Sequence, residues 1–239
     1  MHTMTTTLAI EGTTGDLWAL FSQSFDMFTV LLVTGSLYAA AVIVRVVLDV
    51  RAGAILPPKS LDRAVSLVEH TRWGELREFA KTDGTFLGTV LRPALAEAHR
   101  GREAMEDAAE MAASAETARW FRKIEPLNIV GNLGPLIGLA GTVWGMILAF
   151  ASLGATGGQA GPAELSEGIS KALFHTLLGL LLAIPCLLVF GFYRSLIDRH
   201  CTRAIAETAR LVGHIPAGDE CPEALRPAAG PHATPKNAA

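Results

Sequence analysis

The sequence predicts an all-α membrane protein with three transmembrane helices and long helical extensions on the cytoplasmic side. Three observations carry this expectation. The 239 residues are 50% hydrophobic and 18% charged, against roughly a quarter charged in soluble domains. The apolar surplus gathers in three runs, each able to supply the about 20 helical residues that a bilayer core needs. The Lys and Arg residues also fall on one side of those runs, as the cytoplasmic side of a membrane protein requires.

The elements follow in chain order. Residues 1–24 form an outer N-terminal segment without Lys or Arg. It lacks the basic start of a signal peptide, so the first run is read as a retained anchor. That run, 25–44, is "FDMFTVLLVTGSLYAAAVIV". A cytoplasmic helical region, 45–128, comes next. In it Leu61, Val65, Val68, Trp73 and Leu76 recur at near-helical spacing, and Gly84 and Pro93 act as breaks. From Ala94 to about Glu125 the pattern predicts one long helix, passing Pro126 into the second run, 129–153. A short outer loop, 154–168, leads to the third run, 169–193. A cytoplasmic helix, 194–215, and a Pro/Ala-rich flexible tail, 216–239, close the chain. Arg45, Arg51, Arg119, Arg122, Lys123, Arg194, Arg199 and Arg203 flank the runs on one side. Glu11, Asp16, Asp26, Glu164 and Glu167 lie on the other. This predicts an outer N-terminus and a cytoplasmic C-terminus.

Several classes of function are disfavoured. A net charge of -3 without a basic stripe gives no reason to expect nucleic acid. Cys186, Cys201 and Cys221 stand far apart and make no disulfide framework. The sequence offers no nucleotide-binding glycine loop, no nucleophile–base pair and no metal cluster, so neither an enzyme, a metal nor a cofactor is expected.

Chemistry concentrates in the second and third runs. Gly131, Gly134, Gly138, Gly141 and Gly145 recur at steps of 3, 4, 3 and 4, along one stripe of a helix. In a membrane such a stripe lets a second backbone approach closely, within the protomer or between copies. The third run has a small stripe, Ala172, Thr176, Gly179 and Ala183. Its bulky opposite side is Leu173, Leu177, Leu180, Ile184 and Leu188. At a rise of about 1.5 Å per residue, Thr142 lies about 16 Å and Thr176 about 10 Å from the outer ends of their runs, so both can face one cavity. The alternative is that each hydroxyl bonds only the carbonyl one turn back. Lys171 is shallow enough to reach the outer headgroups. His175, one turn deeper, is either an ionisable functional group or a helix-to-helix hydrogen bond. Pro135 and Pro185 each remove a backbone donor inside a run.

Taken together, "GPLIGLAGTVWGMILAF" and "GISKALFHTLLGLLLAIP" resemble the MotA/TolQ/ExbB proton channel family, nearer to its ExbB and TolQ branch. The resemblance covers about residues 95–215. It implies a subunit of the bacterial inner membrane that forms a ring, typically a pentamer, around an ExbD- or TolR-like single-span partner. That partner brings the proton-carrying carboxylate. It implies pore-facing roles for Thr142 and Thr176 and places Pro135 and Pro185 at the family's proline positions. Gly138, Gly141, Gly145 and Gly179 are expected to be structural. Many members carry Glu where Lys171 stands, so Glu167, Lys171 and His175 are candidates for an altered outer mouth. The function implied is an ion-driven motor, of protons foremost, that energises transport or envelope processes. A stator with another output and a passive scaffold remain as alternatives.

Overall fold

The computed structural model describes residues 25–155 and 162–226. The expected outer segment 1–24, residues 156–161 of the loop and residues 227–239 of the tail lie outside them. Every element among the described residues is helical: α1 (Met27–Asp49), α2 (Ala52–Ile55), α3 (Pro58–Glu69), α4 (Trp73–Thr82), α5 (Phe86–Glu97), α6 (Arg102–Arg122), α7 (Glu125–Ala155) and α8 (Pro162–Gly213), with short 3-10 turns at Ala98–Arg100, Gly218–Glu220 and Glu223–Leu225. Three stretches are long and apolar enough to cross a membrane: Met27–Asp49, Glu125–Ala155 and Leu165–Gly213. The chain divides into two compact units. One holds the segments Met1–Val46 and Ile124–Phe192, the other Val47–Lys123 and Tyr193–Ala239.

In the first unit, α1 buries Leu32 and Ala39 against Leu182 and Cys186 of α8, with Val130, Ile137 and Leu178 packed around them. Gly131, Gly134, Gly138 and Gly141 of α7 are buried, and α8 is what buries them. A Cβ at Gly134 would stand 2.9 Å from the Gly179 carbonyl oxygen, and one at Gly145 2.9 Å from Ala172 Cβ. The glycine stripe is therefore filled within the protomer. Small residues on both helices allow this backbone approach, whose contacts replace those with lipid. On α8 the bulky side, Leu173, Leu177, Leu180, Ile184 and Leu188, stays exposed, as suits contact with lipid tails. Pro135 and Pro185 sit inside α7 and α8, which continue through them.

The second unit is a small helical domain with Phe86, Leu87, Leu91, Met105, Ile197, Ile215 and Leu225 at its centre. Here the structure differs from the sequence expectation in three places. The single helix expected over 94–125 is broken at Gly101, whose φ of +116° favours glycine, and again at Lys123 and Ile124 before α7 begins. Pro93 is not a break: it lies inside α5. A proline there costs a hydrogen bond and about 3 kcal/mol. The buried face formed by Phe86, Leu87, Val90, Leu91, Ala94 and Leu95 runs past it on both sides and holds the helix together. Third, residues 216–226 pack instead of trailing free. Cys221 and Leu225 are buried, and Arg77 donates to the Ala224 and Arg226 carbonyls at 3.0 and 3.2 Å. The C-terminus of α8 is held similarly, by Arg102 donating to the Val212, Gly213 and Ile215 carbonyls. A guanidinium satisfies carbonyls that a helix end leaves without partners. In the first unit the connector is shorter than expected, because α7 runs to Ala155 and α8 starts at Pro162.

Candidate ion path

The seam between α7 and α8 carries the polar groups. Gly138 brings the helices close enough for the Thr142 and Thr176 hydroxyls to hydrogen-bond directly to each other. Carbonyl acceptors surround the pair. Thr142 Oγ1 lies 3.1 Å from both Gly138 O and Ala172 O, and Thr176 Oγ1 lies 3.4 Å from Gly138 O. Each hydroxyl has one hydrogen to give and lone pairs to receive with. Thr142 can donate to Thr176 while Thr176 donates to Gly138 O. The reverse works equally, with Thr176 donating to Thr142 and Thr142 to Ala172 O. The pair can thus invert its polarity without losing a bond, a property useful to a proton relay. Both threonines are half-buried, so they are not sealed inside the seam.

One residue before Thr176, His175 is 2% exposed. Its ring lies over Gly141, where a Cβ would stand 2.8 Å from the ring's Cγ. Its Nε2 is 3.0 Å from Asp26 Oδ1, and the Phe28 ring meets it edge-on at 6.1 Å. Asp26 Oδ1 also accepts from the backbone N–H groups of Phe28 and Thr29, at 3.0 Å each, and so caps α1. In the sequence Asp26 reads only as an outer-side charge at the start of the first run. An Asp immediately before an apolar run is an N-cap signal, and an intramembrane His needs a partner. Those two facts together are the clue that could have joined them.

One turn earlier on α8, Lys171 Nζ pairs with Glu167 Oε1 at 2.7 Å. The two sit four residues apart on one face, and the base is neutralised by its own helix. Gly138, Gly141, Gly145 and Gly179 all lie in the seam. Pro135 is half-buried and Pro185 exposed, both on helix surfaces away from the threonine pair's hydrogen bonds. Among the described residues, no cluster of His, Cys, Asp or Glu is arranged to hold a metal ion. The apolar part of each membrane-length helix also lacks an acidic residue: none occurs at 27–48, 126–155 or 168–197.

Three long apolar helices, with a close-packed polar seam between two of them, define a multi-pass membrane protein. A profile of the MotA/TolQ/ExbB proton channel family matches residues 80–205. The chain belongs to that family. It is 30% identical to the biopolymer transport protein exbB1 of Vibrio cholerae over 174 residues, 70% of each chain. It is 34% identical to the Tol-Pal system protein TolQ of Pseudomonas aeruginosa over 122 residues, 49% of this chain and 52% of that one. An ExbB homologue of Methanothermobacter thermautotrophicus is 34% identical over 109 residues, 46% of this chain and 38% of its own length. The chain thus spans between about two fifths and two thirds or so of these relatives. The structure of C. jejuni MotAB is similar in fold, with a TM-score of 0.51 over 87% of this chain and 84% of that one, at 16% identity.

Proposed function

We propose that the chain is the ring subunit of a proton-driven inner-membrane motor of the ExbB/TolQ type, working with a single-span partner like ExbD or TolR. The observation that carries it is the Thr142–Thr176 hydroxyl pair in a seam whose apolar stretches, 126–155 and 168–197, bring no carboxylate of their own. Such a pair can pass a proton but cannot store one, so an acid at the depth of the pair has to come from another chain. A pentameric ring around the partner's helices supplies that arrangement. The basic residues at 45–51, 119–123 and 194–203 support an outer N-terminus and cytoplasmic helical extensions. The chain itself is no enzyme in this scheme. It guides an ion, and the motion of ring against partner powers transport or an envelope process.

The passive scaffold has one observation in its favour: Thr142 reaches the Gly138 carbonyl one turn back, as a purely packing threonine would. Proton flux through liposomes holding ring and partner separates the two. Thr176→Val keeps the shape and removes the hydroxyl. Flux should collapse at unchanged assembly, and equal flux would leave the scaffold as the better account.

A further inference from the structure

We propose that Asp26 and His175 form a proton-binding site in series with the threonine pair, at the end of the bundle where α1 and α8 begin. Its role in conduction rests on the ion-path function above; its existence rests on its own geometry. Asp26 is the wet end, with 38% of its side chain exposed, and His175 is the dry end at 2%. Two backbone N–H groups and His175 Nε2 converge on one carboxylate oxygen, all at 3.0 Å. An oxygen so placed is an acceptor, so Nε2 carries the hydrogen. A hydrogen on Nδ1 instead would leave two lone pairs facing each other and bury an unpaired donor. His175 Nδ1 is buried with no hydrogen-bond partner. It is a bare lone pair on a ring held between Phe28 and Gly141, beside the helix position of Thr176.

The Asp26 carboxylate and neutral His175 together carry one negative charge. Taking up one proton makes the pair neutral, either as imidazolium and carboxylate or as imidazole and carboxylic acid. The step is proton binding alone, and water reaches it through Asp26. One hydrogen bond joins the two groups, so the proton belongs to the pair and not to either residue alone. Among the described residues, the charge one turn back on α8, Lys171, is paired with Glu167 at 2.7 Å. From α7 the contact is Gly141, and from α1 Phe28 accompanies Asp26; neither titrates.

The test is the nitrogen NMR spectrum of the histidine-labelled full chain in lipid nanodiscs. The His175 signals are assigned by their loss in His175→Gln. The neutral ring should carry its hydrogen on Nε2, and lowering the pH should add one proton to the pair. Asp26→Ser keeps a capping oxygen for α1 but falls short of the ring, so the Nε2 preference should disappear. A neutral ring with its hydrogen on Nδ1, or a pair that takes up no proton at any pH at which the protein stays folded, overturns the proposal. Proton flux with the partner present gives the second arm. If wild type conducts and Thr176→Val does not, His175→Gln should change how flux depends on the pH at the Asp26 end. An unchanged profile would sink this site and leave the threonine path standing. If wild type conducts nothing, the ion-path function falls, and the NMR titration alone decides whether the pair binds a proton.

Discussion

Gly138 of α7 lies directly against the backbone of His175 on α8: a Cβ at residue 138 would stand 2.7 Å from the His175 carbonyl oxygen and 3.0 Å from Thr176 Cα. Backbone cannot swing aside as a side chain can. Even Gly138→Ala should therefore force the helices apart, at a cost of about 1–3 kcal/mol. Gly191→Ala is the matched control, since a Cβ there meets nothing within 4 Å and alanine favours a helix by about 1 kcal/mol over glycine. Thermal melts of the purified protein should show a fall for the first and no fall for the second. Equal melting temperatures would mean that α7 and α8 do not pack through this stripe. Because the glycines are filled by the same chain, a Gly138→Leu defect is expected to appear in the protomer before it appears in assembly.

Cys201 gives a prediction in pH. The thiol is 1% exposed, and burial pushes it up to about 11, helped by the charges of Glu116 and Asp198 and opposed by a bond with Thr117. At pH 8 the folded protein should not react with a thiol reagent at this position, since the thiolate is the nucleophile. The sign for stability follows from which state ionises first. In the unfolded chain the thiol titrates near its ordinary value of 9.0, below the folded one, so ionisation pulls toward the unfolded state. This contribution is complete below about pH 9 and is lost as pH rises towards about 11. Denaturant midpoints should fall over that window, and less steeply in Cys201→Ser. Identical alkaline slopes in the two proteins would show that this thiol does not contribute.

Much of the fold was legible because membrane helices announce themselves by length and polarity. Ser36 and Gly35 do not interrupt the first run, and the bulky side of α8 that the sequence marked is exposed in the structure. The threonine pair was also within reach: the stripe and depth of Thr142 and Thr176 are local properties, and the glycines allow a close approach on steric grounds. Asp26 and His175 stand 149 residues apart. Nothing in helical periodicity relates them, and only the packing of α1 on α8 does. The break at Gly101 was missed for the opposite reason. The Ala- and Glu-rich sequence around it is so strongly helical that a single glycine looked tolerable, yet a positive φ there ends one helix and starts another.

Orientation is accessible to chemical labelling. The native cysteines Cys186, Cys201 and Cys221 are all buried, so the background is low. Ser166 and Ser66 are exposed, and a cysteine differs from serine there only in its sulfur. With the N-terminus outside, Ser22→Cys and Ser166→Cys should react with an impermeant reagent in intact spheroplasts, while Ser66→Cys should react only after the membrane is opened. Labelling of residue 66 in closed spheroplasts would reverse the assignment.

The threonine pair itself calls for a double-mutant cycle. Thr142→Val and Thr176→Val each remove one hydroxyl, and the double variant removes both. For stability the effects should be small, about 0.6 kcal/mol for each membrane hydrogen bond, because the remaining hydroxyl still has a carbonyl to donate to: Gly138 O or Ala172 O for Thr142, Gly138 O for Thr176. Directly bonded groups should also show coupling, so the double variant should cost less than the two singles combined. Flux should behave more sharply. If the two hydroxyls invert together as one relay, losing either breaks it, and the double variant should be no worse than the more damaged single. Two independent partial losses that multiply in the double variant would argue that each threonine meets the ion separately. Flux unaffected by any of the three, at intact assembly, would reduce the bond between Thr142 and Thr176 to a packing contact, and the motor would have to move its ion elsewhere.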